Sequence, residues 1–351
     1  MISLSALRAN CAVARAHARN AGVWVVIKAN GYGHGLLRVA RALADVADGF
    51  AVLDFHEAVL LRDAGMRQPI LLLEGFFALD DIGFLGEYGL TAVVHCAEQV
   101  EMLARVKSPV KLPVYLKFNS GMNRLGLPRH EFDAAFAGLQ ALDHVGEITL
   151  MTHFASADLE EGIAEPFARF ETLRQGYANR ASAANSATLL RYPEARADWV
   201  RPGIMLYGGS PFPSRASAES LGLKPVMTLA SEVIAVQHVQ RGDRIGYGGL
   251  FVADRTMRVG IVACGYADGY PRHAPTGTPI LVGGRRTRTL GRVSMDMLAA
   301  DLTDLPETGV GSPVVLWGNG LPADDVAAAA GTISYELFCA LAARVPVEEA
   351  W

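Results

Sequence analysis

The stretch Val23-Trp24-Val25-Val26-Ile27-Lys28-Ala29-Asn30-Gly31-Tyr32-Gly33-His34-Gly35 decides the fold. Its five leading apolar residues, mostly β-branched, describe a strand buried on both faces, as parallel strands are. The run meets a lysine and then three glycines, so the chain leaves the strand through a loop whose backbone can approach a ligand closely. An open doubly wound sheet with a nucleotide site would carry a G-x-G-x-x-G fingerprint in this place. The glycines here stand at 31, 33 and 35, and the fingerprint is absent.

Similar short runs recur at 49–54, 70–75, 91–95, 114–121, 147–154, 180–187 and 199–208, separated by stretches with apolar residues at helical spacing. With 23–30 they make eight strand–helix repeats, which predicts a closed (β/α)8 barrel of TIM type. The run 180–187 is the weakest, being small and polar. After Ser210, Pro211 and Pro213 break the pattern. Val/Ile-rich runs between glycines at 233–239, 258–263, 279–282 and 312–317 then predict a mainly β C-terminal domain, with helical patterns at 323–330 and 335–344. The expected division is a barrel over 1–222 and a mainly β domain over 223–351.

A length of 351 residues agrees with about two domains, and 51% hydrophobic content excludes disorder. The 32 basic residues are outnumbered by 36 acidic ones, for a net charge of −4, and no basic block occurs. That balance argues against nucleic acid or an anionic membrane as partner and for a small molecule. Cys11, Cys96, Cys264 and Cys339 lie too far apart for a CxxC pair, a zinc site or a disulfide framework, and read as reduced, mostly buried thiols. No apolar run approaches the ~18 residues of a bilayer span and no signal segment opens the chain. The expected location is the cytoplasm.

In a (β/α)8 barrel the polar residues at the C-terminal ends of the strands converge on the mouth, and phosphate sites form after strands seven and eight. Lys28 ends an apolar run. Such a lysine either leaves for solvent or, desolvated, is suited to Schiff-base chemistry. Ser186, Gly203 and Ile204 occupy the phosphate positions, offering a hydroxyl and backbone N–H groups, although an ordinary loop would look the same. A Schiff-base lysine facing a phosphate cradle points to pyridoxal 5′-phosphate.

Several motifs carry a more specific likeness: the segments 26–35, 116–126, 151–154 and 200–208, together with Gly265-Tyr266-Ala267-Asp268-Gly269-Tyr270-Pro271-Arg272 and Gly291-Arg292-Val293-Ser294-Met295-Asp296. In these the chain resembles the alanine racemase family over nearly its whole length, and residues 273–277 look most like its catabolic branch. The resemblance implies a pyridoxal-phosphate enzyme that interconverts L- and D-alanine. Lys28 would hold the cofactor and act as base on one face of the substrate Cα. Tyr266, delivered by the β domain of a partner subunit, would serve the other face, so a homodimer with shared sites is implied. A phenol ionises near ~10 and needs neighbours to act as a base. By resemblance His153 hydrogen-bonds Tyr266, while Arg201 supports His153 and faces the pyridine nitrogen. A guanidinium only donates, so it leaves that nitrogen without its own proton and weakens electron withdrawal into the ring.

The same resemblance gives Arg124 the cofactor's phenolic oxygen and the substrate carboxylate, with help from the Met295 backbone N–H of the other subunit. It gives the phosphate to Tyr32, Ser186, Gly203, Ile204 and Tyr335. Lys117 matches a lysine carbamylated in many relatives, but Asn119 stands where relatives often carry Asp, which alters the local charge. A pocket walled by Tyr32, Tyr266 and Tyr335 favours alanine over longer side chains. The alternatives are a broad-specificity amino-acid racemase and a non-catalytic pyridoxal-phosphate carrier. The carrier would have no use for the second domain with Tyr266 and Met295.

Overall fold

The computed structural model describes residues 1–351. The chain divides into two compact units, one made of Asn10–Gly31 and Gly35–Leu206, the other of Met1–Ala9, Tyr32–His34 and Tyr207–Trp351. A single cut at residue 222 therefore does not describe the division. Strand β1 (Ile2–Ser3) belongs to the second unit, as does the tripeptide 32–34, whose His34 ring lies against Tyr207 and Phe338.

The first unit is a closed parallel barrel of β2 (Gly22–Val26), β3 (Gly49–Val52), β4 (Ile70–Leu72), β5 (Leu90–Val94), β6 (Leu112–Lys117), β7 (Val145–Met151), β8 (Ala181–Ser182) and β9 (Trp199–Val200). The ring closes where Gly22 and Val23 of β2 pair with Trp199 and Val200 of β9. All eight predicted runs are present. Each ran past its strand at the C-terminal end, because the residues there leave the ladder for the barrel mouth. The weak seventh run shrinks to the two residues of β8. Inside, the Trp24 ring stacks on Trp199 with centroids 4.8 Å apart, and its Nε1 donates to the Tyr115 hydroxyl at 2.8 Å. Gly22 pairs with Trp199 and Gly49 with Trp24, and a Cβ at either glycine would run into the neighbouring indole.

The helices turn one apolar stripe to the sheet. Leu36–Leu43 buries Leu36, Val39, Ala40, Ala42 and Leu43. Two helices that open directly after strand ends are capped by side chains that accept an orphan N–H. Asp54 takes Glu57 N–H at 2.9 Å before Phe55–Asp63, and Asn185 takes Thr188 N–H at 3.0 Å before Ser186–Arg191.

The second unit contains β10 (Leu229–Val239), β11 (Arg244–Ile245), β12 (Phe251–Val252), β13 (Met257–Val262), β14 (Pro279–Val282), β15 (Arg285–Leu290), β16 (Leu298–Asp301), β17 (Pro313–Trp317) and β18 (Glu349–Ala350). Six of them close an antiparallel barrel in the order β10-β13-β16-β15-β14-β17, while β18 pairs in parallel with β1. The four predicted runs are β10, β13, β14 and β17. Strand β15 escapes apolar patterning because its outward arginines are matched with acids: Arg286 with Asp325 at 2.9 Å and Arg288 with Asp301 at 3.1 Å. The helix expected over 335–344 is Ser334–Cys339. The cysteines form no disulfide, and they are less uniformly buried than expected, since Cys11 and Cys264 are buried while Cys339 is exposed. No helix is long and apolar enough to cross a membrane.

Candidate active site

Lys28 stands two residues beyond the end of β2, half-buried. The chain does not continue extended to Asn30 as the sequence suggested. It winds instead into a left-handed turn, with φ of 55° at Ala29, 54° at Asn30, 63° at Gly31 and 51° at Tyr32. Three of these residues carry a Cβ, and each such residue costs about 1–2 kcal/mol in this conformation. Strain of this kind persists where surrounding structure over-determines it, most often at functional sites. Gly33 (φ 76°) follows; a Cβ there would strike the Phe338 carbonyl.

Arg201 directly follows β9 and is buried. Its guanidinium is held by neutral acceptors: Nη1 donates to Ser182 Oγ, and Nη2 donates to the carbonyls of Thr152 at 2.7 Å and Ala183 at 3.3 Å. Ser182 is oriented for this, because its own hydroxyl donates to the Trp199 carbonyl at 2.9 Å. Burial draws the Arg201 pKa down to about 10. A desolvated cation without a carboxylate is costly, and such groups gather at functional sites.

Lys117 is the last residue of β6 and is also buried. Desolvation first, then the Arg201, Arg124 and Lys28 charges, lowers its pKa to about 8 against a partial opposing effect of Glu74. His153, two residues past β7, is held well below the usual imidazole range by burial and then by Arg201, Lys117, Arg124 and Lys28. Its Nε2 lies 3.4 Å from Asn185 Nδ2. Lys28, Lys117, His153 and Arg201 near the strand ends, and the exposed Arg124 in the loop after β6, thus form one electrostatic group that, with burial, keeps the imidazole neutral. Glu74 and Ser182 join it without having stood out in the sequence. A serine inside the small polar run 180–187 was the available signal.

Ser186 opens the helix Ser186–Arg191, and its Oγ accepts the Gly203 N–H at 2.9 Å. The Gly203 N–H, expected to face an anion, is thus given to Ser186, whose hydroxyl proton is left to donate onward. Ile204 is buried at the start of the turn Ile204–Tyr207.

In the second unit, the Tyr32 ring stacks on Tyr207 at 4.7 Å and lies 6.0 Å from Tyr335, so two of the expected phosphate ligands are neighbours. Burial raises the Tyr32 pKa, leaving its phenol a donor. Tyr266 opens a short turn over Tyr266–Asp268. Its N–H donates to the Ser294 carbonyl at 3.0 Å, and Ala267 N–H donates to that of Met295 at 2.9 Å, so the Tyr266 and Met295 segments are bound to each other. Both side chains are exposed, at 37% and 53%. Arg344, which the sequence reading passed over, ties the same two segments: Nε reaches Asp268 at 2.8 Å and Nη2 reaches Asp296 at 2.7 Å.

The family model described as alanine racemase, N-terminal domain, matches residues 2–211, and that described as alanine racemase, C-terminal domain, matches 226–349. An alanine racemase of Burkholderia mallei is 56% identical over 348 residues, covering 99% of this chain and 97% of that protein. A protein of Klebsiella aerogenes named alanine racemase, catabolic, is 54% identical over 346 residues, with the same coverage of 99% and 97%. The crystal structure of the biosynthetic alanine racemase from Pseudomonas aeruginosa matches with a TM-score of 0.97 and 46% identity, over 100% of this chain and 98% of that one. Both branch labels therefore occur among the relatives, and none of these names favours a broader racemase or a non-catalytic carrier. The chain belongs to the alanine racemase family, whose members are pyridoxal-phosphate-dependent isomerases.

Proposed function

We propose that this chain interconverts L-alanine and D-alanine in the cytoplasm as a homodimer, with Lys28 and Tyr266 as bases on opposite faces of the substrate Cα. One observation carries the reading: Arg201 is buried beside the barrel strand ends on the neutral acceptors Ser182, Thr152 and Ala183, in a group of cations with Lys28, Lys117 and Arg124 around His153. This donor set fits pyridoxal phosphate and an amino-acid carboxylate, both anionic, and the buried Arg201 fits a pyridine nitrogen that accepts a hydrogen bond. When bound, the cofactor supplies an aldehyde that condenses with an amine and a ring that makes the Cα proton of an attached amino acid acidic.

Lys28 would hold the cofactor through Nζ, with the hydroxyls of Tyr32, Ser186 and Tyr335 and the Ile204 N–H on its phosphate, while the Gly203 N–H orients the Ser186 hydroxyl. Arg124 and the Met295 N–H would fix the substrate carboxylate, presenting the two faces of Cα to its two bases. Racemisation needs a proton removed from one face and another returned to the opposite face. Lys28 Nζ serves the first face and Tyr266 Oη the second. A neutral His153 can accept the Tyr266 hydroxyl proton in a hydrogen bond, which an imidazolium could not. Arg201, always a donor, would keep the ring nitrogen unprotonated and the acidity of Cα moderate, which suits return of a proton to the same carbon. The neutral fraction of Lys117 would add to carbon dioxide through Nζ and release a proton to solvent, giving a carbamate anion able to orient Arg124.

The exposure of Tyr266 and Met295, beside the exposed Met297, supports a surface made to meet a second copy. Mixing inactive Lys28→Ala and Tyr266→Phe proteins tests this. In a shared-site dimer each mixed pair holds one site with both residues intact, so random reassortment restores about a quarter of the parental turnover. No restoration, in subunits shown to have exchanged, would overturn the shared site.

A further inference from the structure

The left-handed turn after Lys28 is held at its second residue by a carboxylate from outside the segment. Its own backbone bonds bracket it: Gly31 N–H donates to the Ile27 carbonyl and Gly35 N–H to that of Asn30, each at 2.8 Å, while Asn30 Oδ1 accepts Leu36 N–H at 2.8 Å. The N–H of Asn30, the second left-handed residue, leaves the segment altogether and donates to Glu57 Oε1 at 2.9 Å. The other oxygen of the same carboxylate accepts Leu53 N–H at 3.3 Å.

Asp54 and Glu57 have the spacing of a capping box, in which the second acid usually turns back to the N-cap amide. Asp54 does its part by accepting Glu57 N–H. Glu57 instead reaches one residue before the cap and across to the neighbouring strand's loop. It thereby couples the exit of β3 to the exit of β2, two residues from Lys28. A strained turn with Cβ atoms at 29 and 30 relaxes unless something fixes it, and Lys28 is the residue whose direction that relaxation would change.

We propose that Glu57 is a positioning residue for Lys28, its carboxylate pinning the left-handed turn so that the lysine stem leaves β2 in one direction. The proposal rests on the reading of Lys28 as the cofactor lysine and adds to it a residue that touches neither cofactor nor substrate.

The test uses Glu57→Ala, Glu57→Gln and Glu57→Ala combined with Ala29→Gly. In the cofactor-free full chain, hydrogen exchange at the Asn30 amide should quicken by about tenfold in Glu57→Ala, with the amides of the helix Arg129–Gln140 unchanged. In the cofactor-loaded enzyme, kcat should fall about ten- to a hundredfold with KM for alanine nearly constant, since a displaced base loses rate more than binding. Glu57→Gln, which keeps one acceptor oxygen, should recover part of the loss. So should Ala29→Gly, because glycine adopts the left-handed conformation without strain. Unchanged exchange at Asn30, or a loss that neither Glu57→Gln nor Ala29→Gly relieves, overturns the proposal. The Lys28 reading fails separately, if Lys28→Ala keeps a lysine-bound cofactor; the exchange arm does not depend on it.

Discussion

Ser182 hands Arg201 a lone pair: its hydroxyl donates to the Trp199 carbonyl at 2.9 Å and receives Nη1 of the buried guanidinium. The two residues come from adjacent strand ends, β8 and β9, so the shortest strands of the barrel are the ones that seat this buried guanidinium. Ser182→Ala leaves one guanidinium donor unpaired in a desolvated place. The cofactor-free protein should lose about 1–3 kcal/mol of stability in urea unfolding. An unchanged midpoint would mean that the hydroxyl does not hold Arg201.

Lys28→Ala should abolish both racemisation and the visible absorbance of a lysine-bound cofactor. The protein should still bind pyridoxal phosphate reversibly, through the phosphate ligands and Arg201. A retained covalent band would transfer the attachment to another amine, and Lys117, with its pKa lowered to about 8, is the one to examine.

Tyr266→Phe removes a hydroxyl from an exposed turn and leaves the Lys28 side of the barrel intact. The absorbance should therefore persist while turnover falls by about 10²–10⁴, the range for losing one acid–base group. Parental turnover with L-alanine would remove Tyr266 from the reaction.

Lys117 makes a pH-dependent prediction. Its folded pKa lies near 8, below the ordinary 10.5, so the burial penalty of the ammonium is in full force below pH 8 and disappears above 10.5. Stability from this group rises with pH through that window. Lys117→Met should stabilise the cofactor-free protein in buffer free of carbon dioxide, by on the order of 3 kcal/mol below pH 8, with the gain vanishing towards pH 10.5. A gain independent of pH would assign the effect to packing.

The barrel was legible because parallel strands buried on both faces leave apolar runs that need no partner to be recognised. The strand ends were not, since a run such as 23–30 gives no sign that Ala29 and Asn30 adopt positive φ; that depends on Glu57, distant in sequence. In the second unit, β14 and β17 were readable as Val/Ile runs. Strand β15 was hidden, because its side chains answer acids at 301, 307 and 325 rather than an apolar face. Lys28, Ser186, Gly203 and Ile204 stand out by their places after barrel strands, whereas Tyr32, Arg124, Met295 and Tyr335 come from motif likeness. Those that hold them, Ser182, Glu57 and Arg344, act through hydrogen bonds to groups that only folding brings near.

Racemisation of alanine is read most directly at the substrate Cα. Purified protein loaded with pyridoxal phosphate should be incubated with L-alanine in deuterated water, followed by proton NMR and chiral separation of the same sample. Loss of the Cα proton signal together with D-alanine accumulating towards parity is the predicted result. L-alanine that keeps its Cα proton and yields no D-alanine, in protein verified to hold its cofactor, would contradict it.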